Sequence, residues 1–361
     1  MPTPDAAPVP STGTLPTSPR ASTADVLPSR TGYADLAARV RAEGLLERRP
    51  GFYAAVLAVL LLVTGLSVGA MVTWSGSWWL LLLAPVLAVV STQYGFLGHD
   101  VGHLQVTRGR RHSRPLGLVV GNGLAGLSYG WWVAKHNAHH AHPNDLETDP
   151  DVAVGALVWS EHQADERRGA AAWLTAHQAV LFPVMLLGEA VALHVHSVRT
   201  LFRPDLRDRG GEAVLLTAHI VGYVVLLATT LSWGQALLFF AIHKGLQGVY
   251  LGLSFAPGHK GMPVLGPEQA ADPLLRQVLT SRNIHGGWFV DTALGGLNYQ
   301  IEHHLFPSMP RANLRRARPV VRAFCAERGV PYAEVKASAA YAAGFRHLSA
   351  VGANLRSRSA T

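Results

Sequence analysis

Three groups of histidines carry the chemistry that can be read in this chain: His99-Asp100-Val101-Gly102-His103, His136-Asn137-Ala138-His139-His140 and Gln300-Ile301-Glu302-His303-His304. On a helix, residues three and four apart share a face, with Cβ atoms about 5–6 Å apart. His99 and His103 therefore point to one place, and His136 pairs with both His139 and His140. The third group repeats the second with the amide of Gln300 where the first imidazole would stand. Seven imidazoles exceed the three or four ligands of one tetrahedral site, so two metal ions are the economical reading. Imidazole suits zinc, copper, iron and nickel alike, and the ligands leave the metal open. A thiolate cluster is excluded by the single cysteine, Cys325.

The elements that must position these boxes lie in lipid. Of 361 residues 49% are hydrophobic and only 15% charged, and several apolar runs are long enough to cross a hydrocarbon core. Residues 1–31 are rich in Pro, Ser, Thr and Ala, without an apolar h-region, and read as a disordered tail rather than a signal peptide. Residues 33–49 are amphipathic and basic, as expected of a helix on an anionic leaflet. Spans are expected at 52–72 and 78–96, joined by a five-residue turn into a hairpin with Trp74, Trp78 and Trp79 at the interface.

All boxes must meet on one side of the membrane, so only an even number of segments can cross between any two of them. Residues 116–134 must then be re-entrant, interfacial or packed against the site. Of the three apolar stretches 170–195, 213–231 and 235–255, the first is the most polar, with His177, Glu189 and His194, and is assigned to the interface. The expected fold is an all-α integral membrane protein with four transmembrane helices in two hairpins and a cytoplasmic helical cap carrying the boxes. Residues 32–345 form its membrane domain and 346–361 a flexible tail. Arginines at 108, 110, 111 and 114, at 199, 203, 207 and 209, and at 311, 315, 316 and 318 flank the box side, and the opposite loops carry no Lys or Arg. The positive-inside rule places the boxes and both termini in the cytoplasm of a multi-pass cell-membrane protein.

Other polar residues are weighed against plain structural roles. Lys244 falls in mid-span, where a lysine costs about 2.5–3.5 kcal/mol, so it must face the bundle or a polar path. Asp100, Asp145, Asp149, Asp151, Asp291 and Glu302 stand near the boxes and can orient ligand imidazoles; Asp145 and Asp149, in shaped turns after the second box, are singled out. His219 and His243 read as packed within spans, and His112, His162 and His347 as loop or tail residues. His142 and His285 neighbour boxes but complete no helical face. Tyr129, Trp131, Trp132 and Tyr299 are candidates to line an apolar tunnel or to anchor at the interface. Lys135 and Arg108 to Arg111 are either anion contacts or topology-setting charge.

With apolar hairpins between the boxes, the pattern resembles the membrane-bound fatty acid desaturase family. The stretch 295–307, Gly-Gly-Leu-Asn-Tyr-Gln-Ile-Glu-His-His-Leu-Phe-Pro, is similar to acyl-lipid and acyl-CoA desaturases whose third box starts with glutamine. The resemblance covers residues 51–322. It implies two iron ions, O2 as co-substrate, and removal of two hydrogens from a long-chain acyl group to leave a cis double bond. The implied ligands are His99, His103, His136, His139, His140, His303 and His304, with Gln300 direct or through water. It adds His259 as a ligand just after the fourth span; relatives usually place asparagine before that histidine, where Gly258 stands here.

The acyl group is expected on coenzyme A or a lipid. Electrons must come from a separate donor such as ferredoxin with its reductase, because the chain shows no haem loop, iron–sulfur cysteine pattern or nucleotide-binding turn. The net charge of +8 would attract nucleic acid as well, but no recognition motif is present. Two further readings are a membrane di-iron hydroxylase or ketolase of a carotenoid, alkane or sphingoid substrate, and a non-catalytic membrane metal carrier. The carrier requires ligating residues along several spans, and these offer little beyond His219, His243 and Lys244.

Overall fold

The computed structural model describes residues 32–358, so the expected tail at 1–31 lies outside the described residues. In chain order the helices are α1 (Gly32–Ala42), α2 (Pro50–Thr73), α3 (Leu83–Gly102), α4 (Arg110–Gly117), α5 (Tyr129–Ala141), α6 (Glu161–Asp165), α7 (Gly169–Ala176), α8 (Gln178–Thr200), α9 (Arg209–Thr230), α10 (Trp233–His259), α11 (Pro267–Ala271), α12 (Pro273–Leu279), α13 (Trp288–Ala293), α14 (Gln300–Leu305), α15 (Arg311–Glu327), α16 (Ala337–Val351) and α17 (Ala353–Arg358). Two short strands, β1 (Asn283–Ile284) and β2 (Glu334–Val335), pair in parallel. A 3₁₀ turn extends α3 back to Trp78, and a π-helical stretch, Leu118–Ala125, follows α4.

Five helices are long and apolar enough to cross a membrane: Pro50–Thr73, Trp78–Gly102, Gln178–Thr200, Arg209–Thr230 and Trp233–His259. The expected spans at 52–72 and 78–96 both form, the second running six residues further so that the first box lies on its last turn. The expected stretch 170–195 is two helices, α7 and α8, and α8 has the length of a span despite Glu189, His194 and His196. Side chains turned outward along α2 and α9, such as Leu62, Leu66, Val72, Val214 and Val224, are large and apolar. This suits a lipid solvent, in which an exposed apolar face costs nothing.

At the end away from the boxes, the two hairpins are tied together. The Gly76 N–H donates to Thr230 O at 2.8 Å, and Gln235 Nε2 donates to Gly76 O at 2.8 Å. Gln235 also completes a capping box with Ser232, which starts α10 sharply. Met71, Leu80, Ala84, Leu87, Leu227, Leu231 and Phe239 close this end as one apolar cluster.

Two expectations about the termini differ from the fold. Helix α1 packs into the core rather than lying free on a leaflet: Leu36 and Val40 are fully buried with Val321 and Phe324 of α15. Its rim is held by Arg39–Glu327 and Arg328–Asp35 ion pairs. Residues 346–358, expected as flexible tail, are helical. Val351 and Leu355 bury against Val158, Ala164 and Ala176, and Gln178 Nε2 donates to Leu348 O at 3.2 Å. Alanine-rich helix formers with an apolar face found a partner that the chain ends alone do not reveal.

Candidate metal centre

Each box sits on a helix end aimed at one buried space. His99 and His103 close α3, His136, His139 and His140 occupy the last two turns of α5, His259 ends α10, and Gln300, His303 and His304 lie on α14. Their ligand atoms form two groups, His99, His103, His136, His140 and His303 in one and His139, His259 and His304 in the other, each with its atoms within 4.8 Å of one another. The groups adjoin, with the His140 and His304 rings stacked at 4.1 Å. All eight imidazoles and Gln300 that the sequence singled out are thus neighbours.

In the smaller group the hydrogen bonds fix each tautomer. His139 Nδ1 donates to Asp149 at 2.9 Å, His259 Nδ1 to Thr280 O at 3.0 Å, and His304 Nδ1 to Gln277 Oε1 at 3.0 Å. Each Nε2 is therefore a lone pair facing the shared space. His304 Nε2 is buried without a partner, and His139 and His259 Nε2 face each other at 3.4 Å. Gln300 Nε2 reaches His259 Nε2 at 2.8 Å. It does so beside Gly258, where any Cβ would stand 3.0 Å from Gln300 Cγ, so the glycine gives the amide its room.

The larger group is more crowded. His99 donates Nδ1 to Asp100 at 3.1 Å, and Asp100 is ion-paired to Arg311 at 3.0 Å. Beyond it runs a chain of facing nitrogens, His99–His303 at 3.1 Å, His303–His140 at 3.1 Å and His140–His136 at 3.0 Å. One ring nitrogen holds at most one proton, so these contacts cannot all be hydrogen bonds. His103 Nε2 is buried with no partner. Burial first, and neighbouring imidazoles second, push His103, His136, His140, His303 and His304 well below the usual imidazole range. Neutral nitrogens with converging, unpartnered lone pairs fit two transition-metal cations.

The carboxylates divide. Asp149 is the orienting partner of His139, itself held by the N–H groups of Asn144 and Asp151 at 2.8 Å. Asp145 instead caps its own turn, accepting from Glu147 and Thr148 N–H. Glu302 turns away from the clusters to Asn283 and Tyr332, both at 2.7 Å, and burial pushes it up to about 7. Asp291 binds Asn298, and Asp151 pairs with Lys135 while its other oxygen lies 3.6 Å from His139 Nδ1.

Gln277, Thr280 and Arg311 hold the site without having been singled out as its supports. Gln277 and Thr280 lie on and after α12, far from any box in sequence, and carry no local signal. Among the remaining histidines, His219 and His243 pack within the bundle, bonded to Gly123 O and Tyr223, and His142 and His285 join neither group. Lys244 is buried and faces inward, donating to Gln247 Oε1 at 3.0 Å. Trp132 stacks on His136 at 4.5 Å, Tyr299 is core, and Tyr129 and Trp131 line an open cavity of about 1150 Å³ whose lining includes His103.

The fatty acid desaturase family is matched over residues 76–336. The chain is 33% identical to an acyl-lipid (9-3)-desaturase of Physcomitrium patens over 70% of this chain and 49% of the relative. It is 30% identical to a Delta(5) fatty acid desaturase of Caenorhabditis elegans, over 83% and 69%. With a Delta(8)-fatty-acid desaturase of Helianthus annuus it shares 27%, over 83% and 68%. The chain thus spans about half the length of the Physcomitrium relative.

Proposed function

The chain belongs to the fatty acid desaturase family, and on that premise we propose that it introduces a cis double bond into a long-chain acyl group carried on coenzyme A or a lipid, with O2 reduced to water. The observation that carries this is the convergence of eight imidazoles, seven buried and His136 partly so, into two groups where the membrane-length helices α3 and α10 end beside α5 and α14. Two iron ions are the proposed occupants. His99, His103, His136, His140 and His303 would hold one, and His139, His259 and His304 the other, with Gln300 able to offer Oε1 by rotation of its amide. When bound, such a pair supplies the oxidising power that an unactivated methylene requires.

The protein's own residues do the rest. Asp149, Thr280 O and Gln277 keep three lone pairs turned inward before any cation arrives, and burial excludes bulk water from the reacting space. The cavity lined in part by His103 is the proposed approach for the acyl chain, with Tyr129 and Trp131 on its wall. A separate one-electron donor such as ferredoxin with its reductase supplies the electrons, and no nucleic acid takes part.

The proposed membrane frame is four spans, α2, α3, α9 and α10, in the plasma membrane with the boxes cytoplasmic. Helix α8 is assigned to the box side because both its ends are tied there. Gln178 bonds the backbone of Val158, and Ser197 Oγ accepts the N–H of Ser128 at the start of α5, at 2.9 Å. Fatty-acid methyl ester profiling of a bacterial host co-expressing a donor, with a His139→Ala control, tests the activity. New species lighter by two hydrogens, absent from the control, are expected; hydroxylated products, or an unchanged profile with iron and donor verified, would overturn it.

A further inference from the structure

Helix α5 brings three of the eight imidazoles, yet nothing near those imidazoles fixes where the helix begins. Its start is gripped from α9. Glu212, in the first turn of α9, is 1% exposed. Its Oε2 accepts from Asn122 Nδ2 at 3.0 Å and Ser128 Oγ at 2.5 Å, and its Oε1 accepts from the Gly130 N–H at 2.9 Å. Ser128 is the N-cap of α5, its Oγ taking the Trp131 N–H at 3.2 Å, and Asn122 Oδ1 takes the Tyr129 N–H at 3.2 Å. The first three residues of α5 are thus bonded either to the carboxylate or to one of its partners.

The fit is mutual. Any Cβ at position 130 would stand 2.6 Å from Glu212 Oε1, so the helix carries glycine where the carboxylate arrives. The electrostatics agree along the whole element. An anion lies at the positive end of the α5 dipole, and His139 and His140 occupy its last turn, the negative end, where cations are favoured.

We propose that Glu212 is the positioning residue of the second histidine box, setting the tilt and register of α5 and thereby the placing of His136, His139 and His140, although it touches none of them. The inference rests on the reading of the two groups as metal sites. Geometry gives it leverage: residue 140 lies about 15 Å along the axis from residue 130 at 1.5 Å per residue. A tilt of about 10° at the start would shift its ligand nitrogen by roughly 2 Å, against a tolerance of about 0.2 Å for a metal–ligand bond. Because α5 feeds both groups, loss of the grip weakens both metals together.

The test uses the full chain in detergent, as Glu212→Ala, Glu212→Gln and Gly130→Ala, with iron per chain, thermal midpoint and amide exchange of the metal-free protein as readouts. We expect faster exchange confined to residues 129–141 in the Ala variants at both positions. Iron affinity should fall about 10-fold or more, the scale of losing an outer partner of a metal ligand. The Gln variant, which keeps an acceptor but adds an N–H facing three donors, should lie between wild type and Glu212→Ala. Unaltered exchange across α5 in the variants at both positions overturns the inference whatever the iron content. So does exchange that rises equally across α2, since Glu212 would then serve the whole bundle. If wild type itself holds no iron while α5 loosens in the variants, the metal reading falls and the grip on α5 stands.

Discussion

Of the five imidazoles in the larger group only His99 is bonded to a carboxylate, that of Asp100, among the described residues, whereas each of the three in the smaller group has a hydrogen-bond acceptor of its own. The larger is rich in imidazoles and sparsely braced; its nitrogens face each other at 3.0–3.1 Å in contacts that cannot all be hydrogen bonds. The smaller is poor in ligands and braced in advance, its lone pairs already turned inward. Ligand number and preorganisation substitute for each other here: a spare imidazole can replace a missing one, but a braced ligand has no substitute.

That contrast breaks most sharply on deletion. His304→Ala should abolish product and remove about one iron per chain, because three imidazoles are the minimum for a protein-held site. His136→Ala leaves four in its group and should keep measurable iron and some product. Metal analysis and ester profiling read both, and equal losses in the two variants would sink the idea that the groups differ in reserve. Next in size, Asp149→Asn should lower iron affinity or activity about 10–100-fold by freeing the His139 tautomer, while leaving the larger group loaded; unchanged activity would refute the bracing argument. Gly258→Asn should be milder, displacing Gln300 from His259 and lowering product several-fold with both irons retained, the pattern of about 1 kcal/mol lost. An indifferent variant would mean that the amide has no part.

Acid should weaken the larger group most. Burial and neighbouring imidazoles hold His103, His136, His140 and His303 well below the value of about 6.5 that they have when unfolded. Below that pH the unfolded chain binds protons that the folded one refuses, so stability falls as pH falls. The thermal midpoint of metal-free protein should drop between about pH 7 and pH 5, and a flat profile would contradict the neutral, buried cage. The smallest effect lies outside both groups. Burial pushes the Cys325 thiol up to about 12, so a thiol reagent should label it only after denaturation; rapid native labelling would show that α15 opens.

What was legible in the sequence was whatever a helix can express locally. The spacing of His136, His139 and His140 announces a shared face, and the turn at Asp149 announces a carboxylate beside it. Gln277, Thr280 and Glu212 were not legible as site supports, because their roles arise from the approach of segments distant in sequence, such as the 27 residues separating Gln277 from His304. Arg311 was read as topology-setting charge, and only its burial against Asp100 reveals the ion pair. Helix α8 has a span's length and composition while both its ends are bonded to the box side, and hydropathy alone does not tell a crossing helix from one packed beside the site. The C-terminal helices were missed because alanine-rich, mildly amphipathic residues look like a tail until Ala176 and Val158 are there to receive them.

The contact between His99 and His303 joins residues 204 positions apart. During synthesis the first box leaves the ribosome and the first hairpin enters the bilayer long before the third box exists. The larger group cannot close until residue 303 has emerged, nor the smaller until residue 304, and a cation arriving earlier would meet incomplete groups. If the two groups hold the proposed metals, their capture is a late event of maturation, sealing a membrane frame already assembled rather than nucleating it.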